Sequence, residues 1–143
     1  MEAIPEHGPC LVCGTENPHS FGVQWFSPGK GIITGKITLS EKQQGPPNHA
    51  HGGATAALVD EAMGASVWHA GYTVVAVNLN VDYKKGVPLG QEIQVTGQVE
   101  SVDEEGKVVK AKAEIRLPDG EVAVTATGTY VHAPQYFEKL VIK

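Results

Sequence analysis

Between His51 and about Ala70 the chain carries a run that suits a helix but has almost no polar side. Ala, Leu, Met and Glu are good helix formers. At about 100° per residue, Ala54, Leu58, Ala62 and Ala65 share one side, and Ala56, Val59, Met63 and Val67 cover most of the other. A helix apolar all round is buried all round. This one is too short and too interrupted to span a membrane, so its cover must be protein. In a chain of 143 residues, a curved sheet wrapped around the helix supplies that cover.

Two carboxylates, Asp60 and Glu61, sit in the middle of the run. They point about 100° apart and face different surroundings. A carboxylate in an apolar helix is costly unless it is paired or put to chemical use. It either hydrogen-bonds a buried polar group or serves as a general base or nucleophile. Gly52 and Gly53 open the helix. The first N–H groups of a helix lack internal partners and carry partial positive charge. Such a start either stabilises a carbonyl oxygen that turns negative during reaction or is an ordinary glycine turn. Along a helix, Asp60 lies about 12 Å beyond Gly52. A reacting carbonyl must be within about 3.5 Å of its attacking group. One helix therefore cannot supply both features to one carbonyl. If both are catalytic, the helix start of one subunit must meet Asp60 of another, in a two-fold dimer with two equivalent sites.

The length fits one domain, residues 1–143, with 1–20 irregular and 133–143 a tail. Hydrophobic content of 41% and charged content of 19% are those of a globular protein. A net charge of -5 argues against nonspecific nucleic-acid binding. Lys84 and Lys85 offer a local anchor for an anionic ligand, or else form a solvated basic pair. Residues 1–10 have neither a basic nor an apolar leader region, so a cytoplasmic location is expected. Cys10 and Cys13 form a lone CxxC before Gly14. His7 and His19 would complete a zinc set only at an unusual spacing, and no second CxxC follows. Two thiols packed in a turn is the simpler reading.

Phe21 to Phe26 reads as a first strand, Ser27 to Gly31 as a turn, and Gly31 to Leu39 as a second strand with Ile33, Gly35, Ile37 and Leu39 on one side. Residues 41–50 form a loop leading straight into the helix, so Asn48, His49 and His51 lie near the proposed site. His51 either donates there or only braces the loop. Gly71 ends the helix. Tyr72 to Tyr83 alternates, with Val75, Val77, Leu79, Val81 and Tyr83 on one face and Ala76, Asn78, Asn80 and Asp82 on the other. Gly86 to Gly90 is a turn. Glu92–Val102, Val108–Leu117 and Glu121–His132 are three more strands, divided by turn signals at 103–106 and 118–120. Two strands, one helix and four strands joined by short turns give an antiparallel α+β domain.

The element order, and His51-Gly52-Gly53 with Asp60 nine residues after the His, resemble the hotdog-fold thioesterases. The phenylacetyl-CoA and mammalian acyl-CoA thioesterase branch is the nearer match. It shares Val77 to Lys85 with Val87-Pro88-Leu89, and Cys10-Leu11-Val12-Cys13-Gly14 with Asn17-Pro18. The resemblance implies a sheet of about six strands around one long central helix, and homodimers that often pair again into a dimer of dimers. It implies hydrolysis of an acyl-CoA thioester without a metal or other cofactor. Carried over, Asp60 is the base or nucleophile, the Gly52 N–H polarises the thioester carbonyl, and His51 shapes the loop. Beside these, Asn48, His49, Gly53, Ala76, Asn78, Lys84 and Lys85 are the candidate substrate-binding residues. Two positions depart from the pattern. Gly45 stands where an Asn or Gln is usual, and Ala76 stands where a Ser or Thr often orients the attacking water.

Two other functions compete. Hydration of an enoyl thioester on this fold pairs the Asp with a His about five residues later, where this chain has Ala65. A non-catalytic module for acyl-CoA or another apolar ligand agrees with Gly45 and Ala76.

Overall fold

The computed structural model describes residues 2–4 and 8–136. Among the described residues, seven strands form one sheet: β1 (Glu2–Ala3), β2 (Phe26–Gly29), β3 (Ile32–Thr38), β4 (Val74–Tyr83), β5 (Glu92–Val102), β6 (Val108–Arg116) and β7 (Val122–His132). One long helix, α1 (Gly52–His69), lies between β3 and β4 in the chain. The strand order is β1-β2-β3-β5-β6-β7-β4, antiparallel throughout. Residues 1, 5–7 and 137–143 of the two expected irregular ends lie outside the described residues. Among the described residues, no helix is long and apolar enough to cross a membrane.

The sheet cradles α1 because its inward residues are graded by size. Gly97 opposes both Ile33 of β3 and Ala113 of β6, and Ala113 opposes Ala126 of β7. These small residues form a trough, flanked by Ile93, Val95, Ile115 and Val124, all buried. A Cβ on Gly97 would lie 2.4 Å from the Ala62 carbonyl oxygen. The helix backbone therefore rests directly on β5, and interiors packed at this density leave no room for a methyl group.

Four expectations change. The first strand begins at Phe26 rather than Phe21. The N–H groups of Phe21 and Val23 donate instead to the carbonyls of Leu11 and Val12, and Gly22 turns the chain with φ 78°. Ser27 to Gly29, expected in the turn, belong to β2. The two-residue β1 arises within the stretch expected to be irregular, by pairing with Phe26 and Ser27.

The second change concerns β4 and β5, which are consecutive but do not pair. β4 pairs with β7, and β5 inserts between β3 and β6. Residues 84–91 therefore cross the end of the sheet. On the way Val87 plugs the core and accepts from the Ala50 N–H at 2.8 Å, while Leu89 N–H donates to Asn48 at 3.0 Å. The apparent hairpin is a strap across the loop that precedes α1.

Third, β4 does not alternate along its whole length. A bulge at Val77 shifts the register between Ala76 and Asn78. An extra residue flips the facing of everything before it relative to everything after it. Leu79, Val81 and Tyr83 oppose the inward Gly128, Ala126 and Val124, but on the other side of the bulge it is Ala76 that opposes the inward Tyr130. Ala76 therefore shares the helix-side face, and Asn78, opposite Thr129, takes the other. Fourth, α1 is not buried all round. Leu58, Val59, Ala62, Met63 and Val67 are fully buried, but Ala56, Ala57, Asp60 and Gly64 are only half-buried and Gly53 is exposed.

Candidate active site

The helix start is built from the loop and the strap. His51 is the N-cap, and its Nδ1 accepts from the Gly53 N–H at 2.8 Å. The His51 carbonyl accepts from Ala54 and Thr55 at 2.9 and 3.2 Å. Of the first helical N–H groups, that of Gly52 has no acceptor among the described residues. The Gly52 carbonyl is fixed from outside, accepting from the Tyr83 hydroxyl at 2.8 Å and the Thr55 hydroxyl at 3.0 Å. His51 therefore holds the loop and orients the helix start, and Gly53 has its N–H engaged within the loop.

Gly45 has a packing reason. A Cβ there would lie 2.7 Å from the His51 Cα, so the loop closes too tightly for the usual amide side chain. Asn48 adopts a left-handed backbone, φ 64°, and its N–H reaches the Gln44 Oε1 at 3.3 Å. His49 bonds the Pro47 carbonyl through Nδ1 at 2.9 Å and lies over Gly86, where a Cβ would be 2.9 Å from its ring. Both residues are exposed. Beside them opens a cleft of about 300 Å³ whose walls include Gly52, Thr55, Tyr83, Lys84, Lys85 and Val87. The fold thus brings Lys84 and Lys85 to the helix start. Lys85 is ion-paired with Glu121, which holds its ammonium above the usual range.

Asp60 lies elsewhere, about two turns along the helix. Its half-buried carboxylate accepts from the Tyr130 hydroxyl at 3.0 Å, and the same hydroxyl lies 3.2 Å from its own carbonyl oxygen. Burial pushes the Asp60 carboxyl up from its ordinary value. The Tyr130 hydrogen bond opposes this, and the neighbouring Glu61 charge adds to it. Burial, then the Asp60 charge, pushes the Tyr130 hydroxyl up strongly, so it donates and does not ionise. Gly53, Ala57 and Gly64 fall on the Asp60 face of the helix, where none carries more than a methyl group. Across Tyr130 comes Ala76 of β4. Asn78 is exposed on the opposite face of that strand.

β4 is an edge strand, pairing on one side with β7 and on the other with nothing among the described residues. It leaves Val77, Leu79 and Tyr83 exposed by 57%, 39% and 54%. A long strand edge that exposes apolar side chains is an open template for another strand. Tyr130 was not legible as a site residue, since a lone Tyr in a strand carries no motif. Only its inward register on β7, next to the edge strand, signals it.

Glu61 faces away from this site, toward the N-terminal segment, where the Cys10 thiol donates to its Oε2 at 3.5 Å. Cys13 is buried beside them. His19 is exposed, and His7 lies outside the described residues.

Comparison with known proteins agrees with the architecture. The model of the thioesterase superfamily matches residues 47–124. Over 89 residues the chain is 35% identical to the acyl-coenzyme A thioesterase THEM4 of Xenopus laevis, covering 62% of this chain and 39% of that protein. The chain thus spans between a quarter and two fifths of the length of the curated relatives it matches. The crystal structure of a thioesterase superfamily protein superposes with a TM-score of 0.81 at 33% identity, over 85% of this chain and 62% of that one. The Escherichia coli PaaI protein from the phenylacetic acid degradation operon shares the fold, with a TM-score of 0.73 at 18% identity over 79% and 80% of the two chains.

Proposed function

Because the chain belongs to the thioesterase superfamily and has its hotdog fold, we propose that it hydrolyses an acyl-CoA thioester to the free acid and CoA, as a cytoplasmic homodimer. The observation that carries this reading is the half-buried Asp60, held by Tyr130 beside the uncovered β4 edge. The substrate class follows the acyl-coenzyme A thioesterase relative.

Asp60 of one subunit removes a proton from water, whose oxygen adds to the carbonyl, or attacks the carbonyl directly to give an anhydride. In either case the C–S bond breaks and CoA leaves as the thiol, and water then hydrolyses the anhydride of the second route to the free acid. The Gly52 N–H of the second subunit stabilises the oxyanion. Joining the two β4 edges would bring the apolar Leu79 and Tyr83 under cover, and Tyr83 is already bonded to the Gly52 carbonyl. That bond ties the interface to the helix start. Lys84 and Lys85, on the wall of the same cleft, anchor the CoA phosphates. Ala76 and the small helix residues beside Asp60 leave room for the acyl group. Two such dimers pairing again would give a dimer of dimers.

Gly45 favours the second reading, an acyl-CoA binding module without catalysis, because it removes an amide that would touch the carbonyl or the water. Thiol release from short, long and aromatic acyl-CoAs separates the two. Hydrolysis by the wild type that is lost in a folded, dimeric Asp60→Asn variant supports catalysis. Undiminished hydrolysis by that variant rejects Asp60, and binding without thiol release by the wild type leaves the module.

A further inference from the structure

The second carboxylate of the helix lies in a different chemical setting. The Cys10 Sγ, the Cys13 Sγ and one Glu61 carboxylate oxygen all lie within 4.8 Å of one another. The sequence alone offered two sulfurs and no credible third ligand. The fold supplies it from the central helix, 51 residues further along from Cys10. We propose that Cys10, Cys13 and Glu61 bind a thiophilic divalent ion of the zinc class, which fastens the N-terminal segment to α1.

The geometry fits such an ion. Zinc binds thiolates at about 2.3 Å and carboxylates at about 2.0 Å in tetrahedral sites, which sets a sulfur-to-oxygen edge of about 3.5 Å. The Cys10 Sγ to Glu61 Oε2 separation is 3.5 Å. The turn is shaped to bring the sulfurs together. Gly14 N–H donates to the Cys10 carbonyl at 3.0 Å, and a Cβ on Gly14 would fall 2.1 Å from the Gly8 carbonyl oxygen and 2.5 Å from the Cys10 nitrogen. Val12 N–H points at the Cys10 Sγ at 3.4 Å, which fixes where the sulfur sits. Two thiolates and one carboxylate form a mixed sulfur–oxygen set that suits zinc better than magnesium or calcium. Binding releases the two thiol protons to solvent, forms two metal–sulfur bonds and one metal–oxygen bond, and leaves the fourth position to water. No oxidation state changes. The segment that the ion fastens, residues 8–23, has turns but no strand or helix, so a cross-link to α1 compensates for missing ladder bonds.

Cobalt(II) added to the full chain, stripped with a chelator and kept reduced, tests this. Uptake of one equivalent, with a thiolate-to-cobalt charge-transfer band and the intense visible bands of a four-coordinate site, both removed by one equivalent of zinc(II), is the expected result. Glu61→Gln weakens zinc binding by more than about 100-fold, beyond the cost of losing an outer partner, and Cys10→Ser, which leaves only the Cys13 thiolate, weakens the charge-transfer band. The wild-type spectrum decides the matter even if a variant fails to fold. The absence of these bands with both thiols reduced, closure of Cys10 and Cys13 into a disulfide in reducing buffer, or unaltered zinc affinity in Glu61→Gln would each overturn the site. None of these measurements depends on thioester hydrolysis.

Discussion

Asp60 and Glu61 are adjacent, chemically alike and set in the same apolar helix, yet their surroundings share almost nothing. Asp60 meets a hydroxyl from β7, beside an uncovered strand edge and a face of small helix residues. Glu61 meets two sulfurs from the N-terminal segment. One residue of rotation, about 100°, separates a candidate catalytic group from a candidate ligand. The role of a buried carboxylate is set by what packs against it, and neighbouring positions on a helix can belong to different sites.

The sharpest test of that division is Asp60→Asn against Glu61→Gln. Removing the base lowers acyl-CoA hydrolysis by about 10² to 10⁴-fold in a thiol-release assay, while Glu61→Gln keeps activity near wild type. Equal losses would break the comparison. Next in size is Leu79→Asp, which sets a charge on the open edge next to the Asp60 flank. It weakens dimerisation by about 30-fold or more, the cost of an interface anchor, as read by light scattering across a dilution series. On the proposed mechanism hydrolysis falls with the dimer, since the partner would supply the Gly52 N–H. An active monomer would remove the shared site.

Tyr130→Phe removes the hydrogen bond that distinguishes the Asp60 flank. A bond to a charged group contributes about 1.5–3 kcal/mol, so kcat falls about tenfold or more with KM little altered. An unchanged kcat would reduce Tyr130 to packing. Lys84→Ala raises KM by about two- to fivefold at low ionic strength, the range of an exposed ion pair, and the effect fades with salt. The smallest effect lies far from both flanks. Asp103 Oδ1 accepts from Lys107 and Val108 at 2.8 and 3.1 Å, and the Val108 bond comes first among the causes that hold its carboxyl below the ordinary value. A depressed folded pKa gives stability that is present above the unfolded value of about 3.9 and lost as pH falls through the folded one. The stability gap between wild type and Asp103→Asn, measured by urea unfolding, therefore closes under acid.

Much of the architecture was legible because periodicity reports burial. Alternation in β3 and β5 to β7, the all-apolar helix and the turns at 103–106 and 118–120 need only local sequence. Gly45 and Ala76 were legible as departures, but only the structure gives the packing reason for Gly45. The crossover of residues 84–91 was not legible, because a Gly-Val-Pro-Leu-Gly strap looks like any hairpin turn. The Val77 bulge was hidden too, since unbroken alternation in the sequence gives no sign of a shift in the ladder.

From the sequence alone came the apolar rod, its cover of antiparallel strands on one side, the two carboxylates on separate faces and the glycine start about 12 Å from Asp60. These follow from residue spacing and helix rise, which are local quantities. The tertiary structure decided which strand became the open edge, that Tyr130 reaches Asp60, that Lys84 and Lys85 stand beside Gly52, and that Cys10 and Cys13 meet Glu61. Each joins groups distant in the chain, and such meetings are set by how the sheet and the N-terminal segment pack onto the helix, which no local pattern encodes.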